Sequence, residues 1–373
     1  GPVSTAMGVG TIASGNLSTA MGYGTTSKSY AGFVTGILND STNAASSTTI
    51  HPLNRIFQIG NRTDGYTRRN DVTVLQNGNV GVGTTTPQSI LHVKRGAVLF
   101  DSTIGNTPVS GAGTRMMWIP AKGAFRGGRV EGGYSNYWDE DSIGWGSFAF
   151  GYNSNATGAN SVCLGLGSYA AGSNSVSIGQ FTKAYGSSTA FGSNTLASGF
   201  HSTALGINTI ASGNESIAMG ANNTASGSNS FAAGNLNVSS GIHSVSMGSG
   251  SIASGDNSFA SGAANSAKSY CSFVVGHFND NTLSGSRSLM QPLNRLFEIG
   301  NGTTDIARRN ALTVLQNGNI GIGELIPTSP LNFASTLGDK IALWGNGANH
   351  YGLGIQASLM QVYTMDAGND IAF

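Results

Sequence analysis

The chain has 373 residues, with 18 basic and 17 acidic side chains, a formal charge of +1, and 39% hydrophobic residues. So little charge excludes nucleic acid or an anionic membrane as a general electrostatic partner. The hydrophobic content argues against disorder, and 56 glycines that do not recur at every third residue exclude collagen.

The chain opens Gly1-Pro2 and enters a repeat at once, as an excised piece would. Residues 1–40 form a short roll segment of the kind read below for 142–280. A connector, 41–87, follows it. Within it Pro52-Leu-Asn-Arg-Ile-Phe-Gln-Ile-Gly-Asn61 returns as Pro292-Leu-Asn-Arg-Leu-Phe-Glu-Ile-Gly-Asn301, an offset that defines a second connector over 281–327. Asn77-Gly78 and Asn317-Gly318 stand between apolar alternations and predict type I′ hairpin turns. Arg55, Arg68 and Arg69, with their equivalents Arg295, Arg308 and Arg309, are notable in so uncharged a chain. Two readings are open. They form a site for an anionic glycan or phosphate, or they pair across subunits with Asp40 and Asp280 or with carbonyls at the roll's end. Repetition at one structural place favours the second.

Residues 88–141 read as a β-rich insert holding Met116-Met117-Trp118-Ile119 and Phe125-Arg126-Gly-Gly-Arg129. It ends in Tyr134-Ser-Asn-Tyr137-Trp138-Asp139-Glu140-Asp141. Aromatic rings beside carboxylates and arginines suit the gripping of sugar rings, which makes Arg126, Arg129, Tyr134, Tyr137, Trp138 and Asp139 candidate ligand contacts. The competing reading is packing at a subunit interface, and Trp118 among methionines reads as core. Asp139-Glu140-Asp141 offers carboxylates to calcium but lacks the spacing of a calcium loop, and the reading assigns no metal and no cofactor.

From 142 to 280 glycine punctuates the chain every seven residues: 144, 151, 158, 165, 172, 179, 186, then, after a slip of one, 192 onward. Two places before each sits a small residue, as at Ala149, Ala156, Cys163, Ala170 and Ala204. Alternate units flank it with apolar residues: Phe148/Phe150, Val162/Leu164, Val176/Ile178, Ile217/Met219 and Val245/Met247. The true period is therefore fourteen, two short strands and two corners per coil, with glycine permitting the positive φ of a tight corner. Propensity argues against helix, since each such glycine costs about 1 kcal/mol there relative to alanine. Alanine points into a thin interior, its neighbours outward, and stacked coils turn one outward face into a continuous apolar stripe that a closed homo-oligomer would bury. Residues 328–373 read as a small β domain cut short, with Trp344, His350 and Tyr351 as further ligand candidates. Cys163 and Cys271 make neither zinc spacing nor a disulfide framework.

The motifs Gly172-Ser-Asn-Ser-Val-Ser-Ile-Gly179 and Gly213-Asn-Glu-Ser-Ile-Ala-Met-Gly220 resemble the head repeat of trimeric autotransporter adhesins, the YadA-like heads. The same repeat occurs in tail fibres of phages and contractile injection systems. The resemblance covers about 4–40 and 142–280. It implies an all-β fold, a trimeric parallel β-roll solenoid of left-handed coils, with 41–87 and 281–327 resembling necks that cap a roll and hand three chains on. It also implies an extracellular fibre, on a bacterial surface or a virion or injection-system tail, that attaches to a surface glycan or protein receptor. The partners expected are the chain's own copies and that receptor, with no nucleic acid and no membrane insertion by this stretch.

Six scattered histidines form no metalloprotease motif, and neither a nucleophile elbow nor a phosphate loop is present, so the reading is non-enzymatic. The alternatives to an adhesin are a passive stalk presenting a separate tip, an ice-binding surface, which the irregular threonines disfavour, and a fibre bearing a polysaccharide hydrolase.

Overall fold

The computed structural model describes residues 1–42, 45–62, 67–94, 96–282, 285–346 and 349–363. They fall into two compact units, 1–101 and 102–373, so the stretch expected as one insert, 88–141, is divided between them.

In the first unit, Thr5–Val9, Thr19–Tyr23 and Phe33–Ile37 stack in parallel, with Thr5 over Thr19 over Phe33. Ile12–Ala13 and Thr26–Ser27 form a second, shorter ladder. Arg55–Asn61 then joins the long ladder in parallel, Phe33 against Phe57, as though it were one more coil. Asn70–Leu75 and Val80–Val82 turn back antiparallel, and Leu91–Val93 closes the sheet.

The second unit repeats this plan at greater length. An antiparallel hairpin, Gly113–Ile119 and Ala124–Val130, offers its second strand to Phe148–Tyr152 in parallel. From there the long strands climb in register, Phe148, Val162, Val176, Thr189, Thr203, Ile217, Phe231, Val245, Phe259 and Phe273, until Arg295–Asn301 joins as Arg55–Asn61 does in the first unit. The result is a 16-stranded sheet, with a 9-stranded sheet of two-residue strands such as Asn155–Ala156 and Tyr169–Ala170 running beside it. Gly338–Asn346, Asn349–Gln356 and Leu359–Tyr363 form a separate three-stranded antiparallel meander.

The interior is as thin as the spacing predicts: Ala149, Ala156, Cys163, Ala170, Ala204 and Ala211 are completely buried. It is also half polar, which the alanine pattern does not reveal. Each coil turns a serine, threonine or asparagine inward at both corners, as at Ser154, Ser161, Ser168 and Ser175. Many of them bond backbone groups that no water reaches, though the Ser154 and Ser175 hydroxyls are left without a partner. Ser161 Oγ donates to Gly158 O at 2.7 Å, and Ser202 and Ser216 repeat the bond on Gly199 and Gly213. Higher up, Asn237 N–H donates to Asn223 Oδ1 and Ser251 N–H to Asn237 Oδ1, both at 2.8 Å.

Glycine's part in the corner differs in part from the expectation. Alternate glycines do carry a positive φ, as at Gly151, Gly165 and Gly206, with 138°, 114° and 120°. A second left-handed residue stands two places after most of the glycines, most often asparagine: Asn153, Asn160 and Asn174 have φ of 51°, 53° and 57°. Asparagine tolerates that region better than other residues with a Cβ. The glycines between the positive-φ ones are needed because stacked coils approach too closely there. A Cβ on Gly213, whose φ is ordinary, would overlap the Gly227 carbonyl oxygen. The hairpin turns differ too: Gly78 and Gly318 have φ of 89° and 92°, but Asn77 and Asn317 do not join them in the left-handed region. Gly78 N–H donates to Leu75 O, making a three-residue loop that ends in a glycine bulge rather than a type I′ turn.

The slip in the glycine spacing is one coil of thirteen residues, since Val176 pairs with Thr189 and Lys183 with Leu196. A corner absorbs the loss. Gly186 and Ser187 both take φ of 55°, and the strands above and below stay in register.

Candidate functional site

Both ends of the long roll are plugged by arginine. Arg126 shares a ladder position with Ala149, so a guanidinium fills the space that a methyl group fills one coil later. Expected as a ligand contact, it is instead fully buried, donating to Phe125 O at 2.8 Å, Ser147 Oγ at 2.8 Å and Ala156 O at 2.8 Å. Burial pushes its pKa down to about 10. Above it, in the same column, burial pushes the Cys163 thiol up to about 12.

Trp138, another expected ligand contact, is likewise fully buried. Its indole N–H donates to Ser154 O at 2.9 Å, and it packs with Met117, Ile119, Ala124, Val130 and Ile143 as the lid of the roll. Trp118, expected in the core, is 42% exposed, because strand alternation sends Met117 and Ile119 inward and Met116 and Trp118 outward. Asp139 is occupied as well: its Oδ1 accepts the Gly111 N–H at 3.0 Å, while Glu140 accepts Thr107 N–H at 2.8 Å. The acidic run thus ties down the preceding loop.

At the other end the connector arginines meet the partners named for them, but within one chain rather than across subunits. The reason is the extra parallel strand, which lays Arg55 and Arg295 over the last corner. Arg295 Nη2 lies 2.8 Å from Asp280 Oδ1, its Nη1 donates to Asp280 O at 2.7 Å, and Glu298 Oε2 stands 3.5 Å away. Arg55 makes the looser version with Asp40, 3.6 Å, and faces Gln58 where the second copy has Glu298. Arg68 and Arg308 donate to the corner carbonyls of Asn39 and Asn279, both at 3.2 Å. Arg69 lies 3.5 Å from Asp71, and Arg309 donates to Asn301 O at 3.2 Å.

Two surfaces remain open. On the long strands, Phe148, Val162, Val176, Ile217 and Val245 form one outward column, and Phe150, Leu164, Ile178, Met219 and Met247 the next. The first column extends from Phe125, stacked 5.2 Å from Phe148, to Phe297, 5.7 Å from Phe273. Twelve rungs at about 4.8 Å give a stripe roughly 50 Å long. Phe150 within it is 52% exposed.

The second surface begins on the lid. Tyr134, 43% exposed, lies 5.1 Å from half-buried Tyr137. Arg129 pairs with Glu131 at 3.2 Å and lies 5.8 Å over the Tyr152 ring. Of the insert candidates, Arg129, Tyr134 and Tyr137 keep access to the surface, and the two tyrosines meet. Trp344 and Tyr351, 5.7 Å apart, belong to the meander beyond the opposite end of the roll. The backbone of His350 pairs with Gly345, and its side chain lies outside the described residues.

Comparison with protein families matches the YadA head domain repeat to 4–25, 144–168, 156–182, 186–209, 197–223, 211–237 and 239–265. These coils are similar to YadA head repeats. The matched residues coincide with the stacked parallel coils, so the repeat carries the roll of an adhesin-type fibre. No curated protein matches the chain. Among the described residues no helix is long and apolar enough to cross a membrane.

Proposed function

We propose that the chain is part of an extracellular, non-enzymatic adhesin whose rolls associate as a homotrimer along the long-strand stripe and hold a binding surface away from the axis. One observation carries this reading: an in-register apolar stripe about 50 Å long on a solenoid too thin to cover it. An exposed apolar stripe of that length marks an association surface, and a roll whose interior is built of small and polar side chains has little other apolar surface to bury. Three copies around an axis close the interface with no free edge, and the YadA head repeats support three rather than two.

Sedimentation velocity on the 38.0 kDa chain at micromolar concentration tests it, with a species of three chains expected. Leu205→Glu, in the second column of the stripe, should dissociate that species while leaving the interior alanines untouched. A monomeric wild-type chain at that concentration would refute the association. A trimer that binds no cell surface, glycan or matrix protein leaves a stalk instead of an adhesin.

A further inference from the structure

Along the short-strand sheet, the outward slots hold mostly serine, threonine and aliphatic residues. One region departs from this. Tyr169 and Tyr185 meet edge to face at 5.9 Å, and Lys183 stands between them, paired in the ladder with Tyr169 and two residues before Tyr185 on the same face.

Lys183 is also unlike the other charges of the long roll. Glu215 accepts from Asn229 at 2.6 Å, Asp256 accepts Ile242 N–H at 2.9 Å, and Lys268 donates to Asn281 O at 2.6 Å. Lys183 has no such partner among the described residues, and its side chain is exposed. The thirteen-residue coil is the one that carries Lys183 and Tyr185, and its shortened corner begins at Tyr185. There the Ser187 hydroxyl reaches Ser173 O at 2.9 Å. A repeat that breaks its own period at one coil does so where something other than stacking is being served.

We infer that Tyr169, Lys183 and Tyr185 bind an acidic polysaccharide, with pyranose rings lying on the tyrosines and a sugar carboxylate on Lys183. The inference rests on the adhesin reading and gives that surface its ligand class. A tyrosine offers a flat apolar face with a hydrogen-bonding tip, which matches the apolar face and hydroxyl rim of a sugar ring. The uncommitted ammonium selects for negative charge, and a shallow, linear arrangement suits an extended chain rather than a small molecule. The short-strand sheet lies on the far side of the thin interior from the apolar stripe, so association along the stripe leaves it open.

The roll supplies its own folding-neutral substitutions. The slot of Tyr185 is Ser198 in the next coil, and that of Tyr169 is Ile210 three coils on. The test measures binding of the whole chain to immobilised polygalacturonate and hyaluronan, to sialyllactose, to neutral dextran, and to polyglutamate, which carries carboxylates without rings. The two groups of acidic sugar distinguish uronate polymers from sialylated glycans. Wild type should bind at least one acidic sugar tenfold or more tighter than dextran or polyglutamate. Lys183→Gln should remove that preference, and the Tyr169→Ile/Tyr185→Ser double variant should lose the binding tenfold or more with an unchanged oligomeric state. Equal binding to polyglutamate, or acidic-sugar binding that survives either variant, overturns the proposal. Binding to cells or matrix protein without any acidic sugar overturns it while the adhesin reading stands, and no binding at all removes both.

Discussion

Glycine occupies the coils for two separable reasons, and three alanine substitutions take them apart. Gly250 has φ of 66° and open space, since the nearest atoms to a new Cβ are ordinary contacts on Ala264 and Gly250's equivalent in the next coil is that alanine, at φ of 52°. Gly250→Ala should therefore cost about 1 kcal/mol, the left-handed penalty of ~1–2 partly offset by a stiffer unfolded chain. Gly213 has an ordinary φ, but a methyl group there would overlap the Gly227 carbonyl oxygen, inside the 3.0 Å that Cβ atoms keep. Parallel strands held at about 4.8 Å cannot part without stretching ladder hydrogen bonds, so Gly213→Ala should cost about 2–3 kcal/mol. Gly206 combines φ of 120° with the same overlap, against Gly220 O, and Gly206→Ala should cost about 3–5 kcal/mol. Urea unfolding at fixed chain concentration, with hydrogen exchange resolved by coil, reads the order, because each coil leans only on its neighbours. Should Gly213→Ala unfold no earlier than Gly250→Ala, close backbone stacking is not what excludes side chains from that slot.

The two connectors provide a natural comparison at Gln58 and Glu298. Burial holds the Glu298 carboxyl above its ordinary range, against the pull of Arg295 and the amides of Asn279 and Asn310. A raised carboxyl pKa means that the native state holds its proton to higher pH than the unfolded chain. Stability is thus lost as pH rises from the ordinary value of 4.5 through the native one, and the loss persists above it. Glu298→Gln should stabilise the second connector at pH 7 by on the order of 1 kcal/mol, with the gain vanishing below the ordinary value. Hydrogen exchange over Arg295–Asn301 at both pH values measures it, and a less stable variant at pH 7 would contradict the reasoning. Cys163, pushed up to about 12 by burial, should remain unmodified by a thiol reagent at pH 8 until urea opens the roll. Labelling of the folded chain at Cys163 would show that the interior is not closed.

Much of the roll is legible in the amino-acid sequence because its period repeats one decision many times. The interior alanines, the alternation of the two faces and the apolar columns all follow from residues such as Ala149, Phe148 and Phe150. Polar interior positions are harder, since serine also lines the outside. The signal existed, however: a serine immediately precedes most long strands, as at Ser161, Ser175, Ser188 and Ser202, and every one of these is buried. In the insert a single alternation offers two equally good assignments. Choosing between Met117 and Trp118 depends on what the hairpin lies against, and Arg126 under Ala149 decides it. The connector arginines were legible as partners of Asp40 and Asp280, while their joining within one chain depends on a parallel strand that local pattern does not announce. The tyrosines were half legible, Tyr134 and Tyr137 from their clustering, Tyr169 and Tyr185 only once stacking brought distant residues onto one face.

Arg126 and Arg295 each grip the adjoining coil and nothing farther along. The barrel between them is therefore a cassette whose ends never sense its length. Duplicating or excising a fourteen-residue block by recombination would lengthen or shorten the fibre's reach by one rung, about 4.8 Å, with both stoppers unaltered. Populations of such molecules can differ in how far they project without any change in how they are sealed.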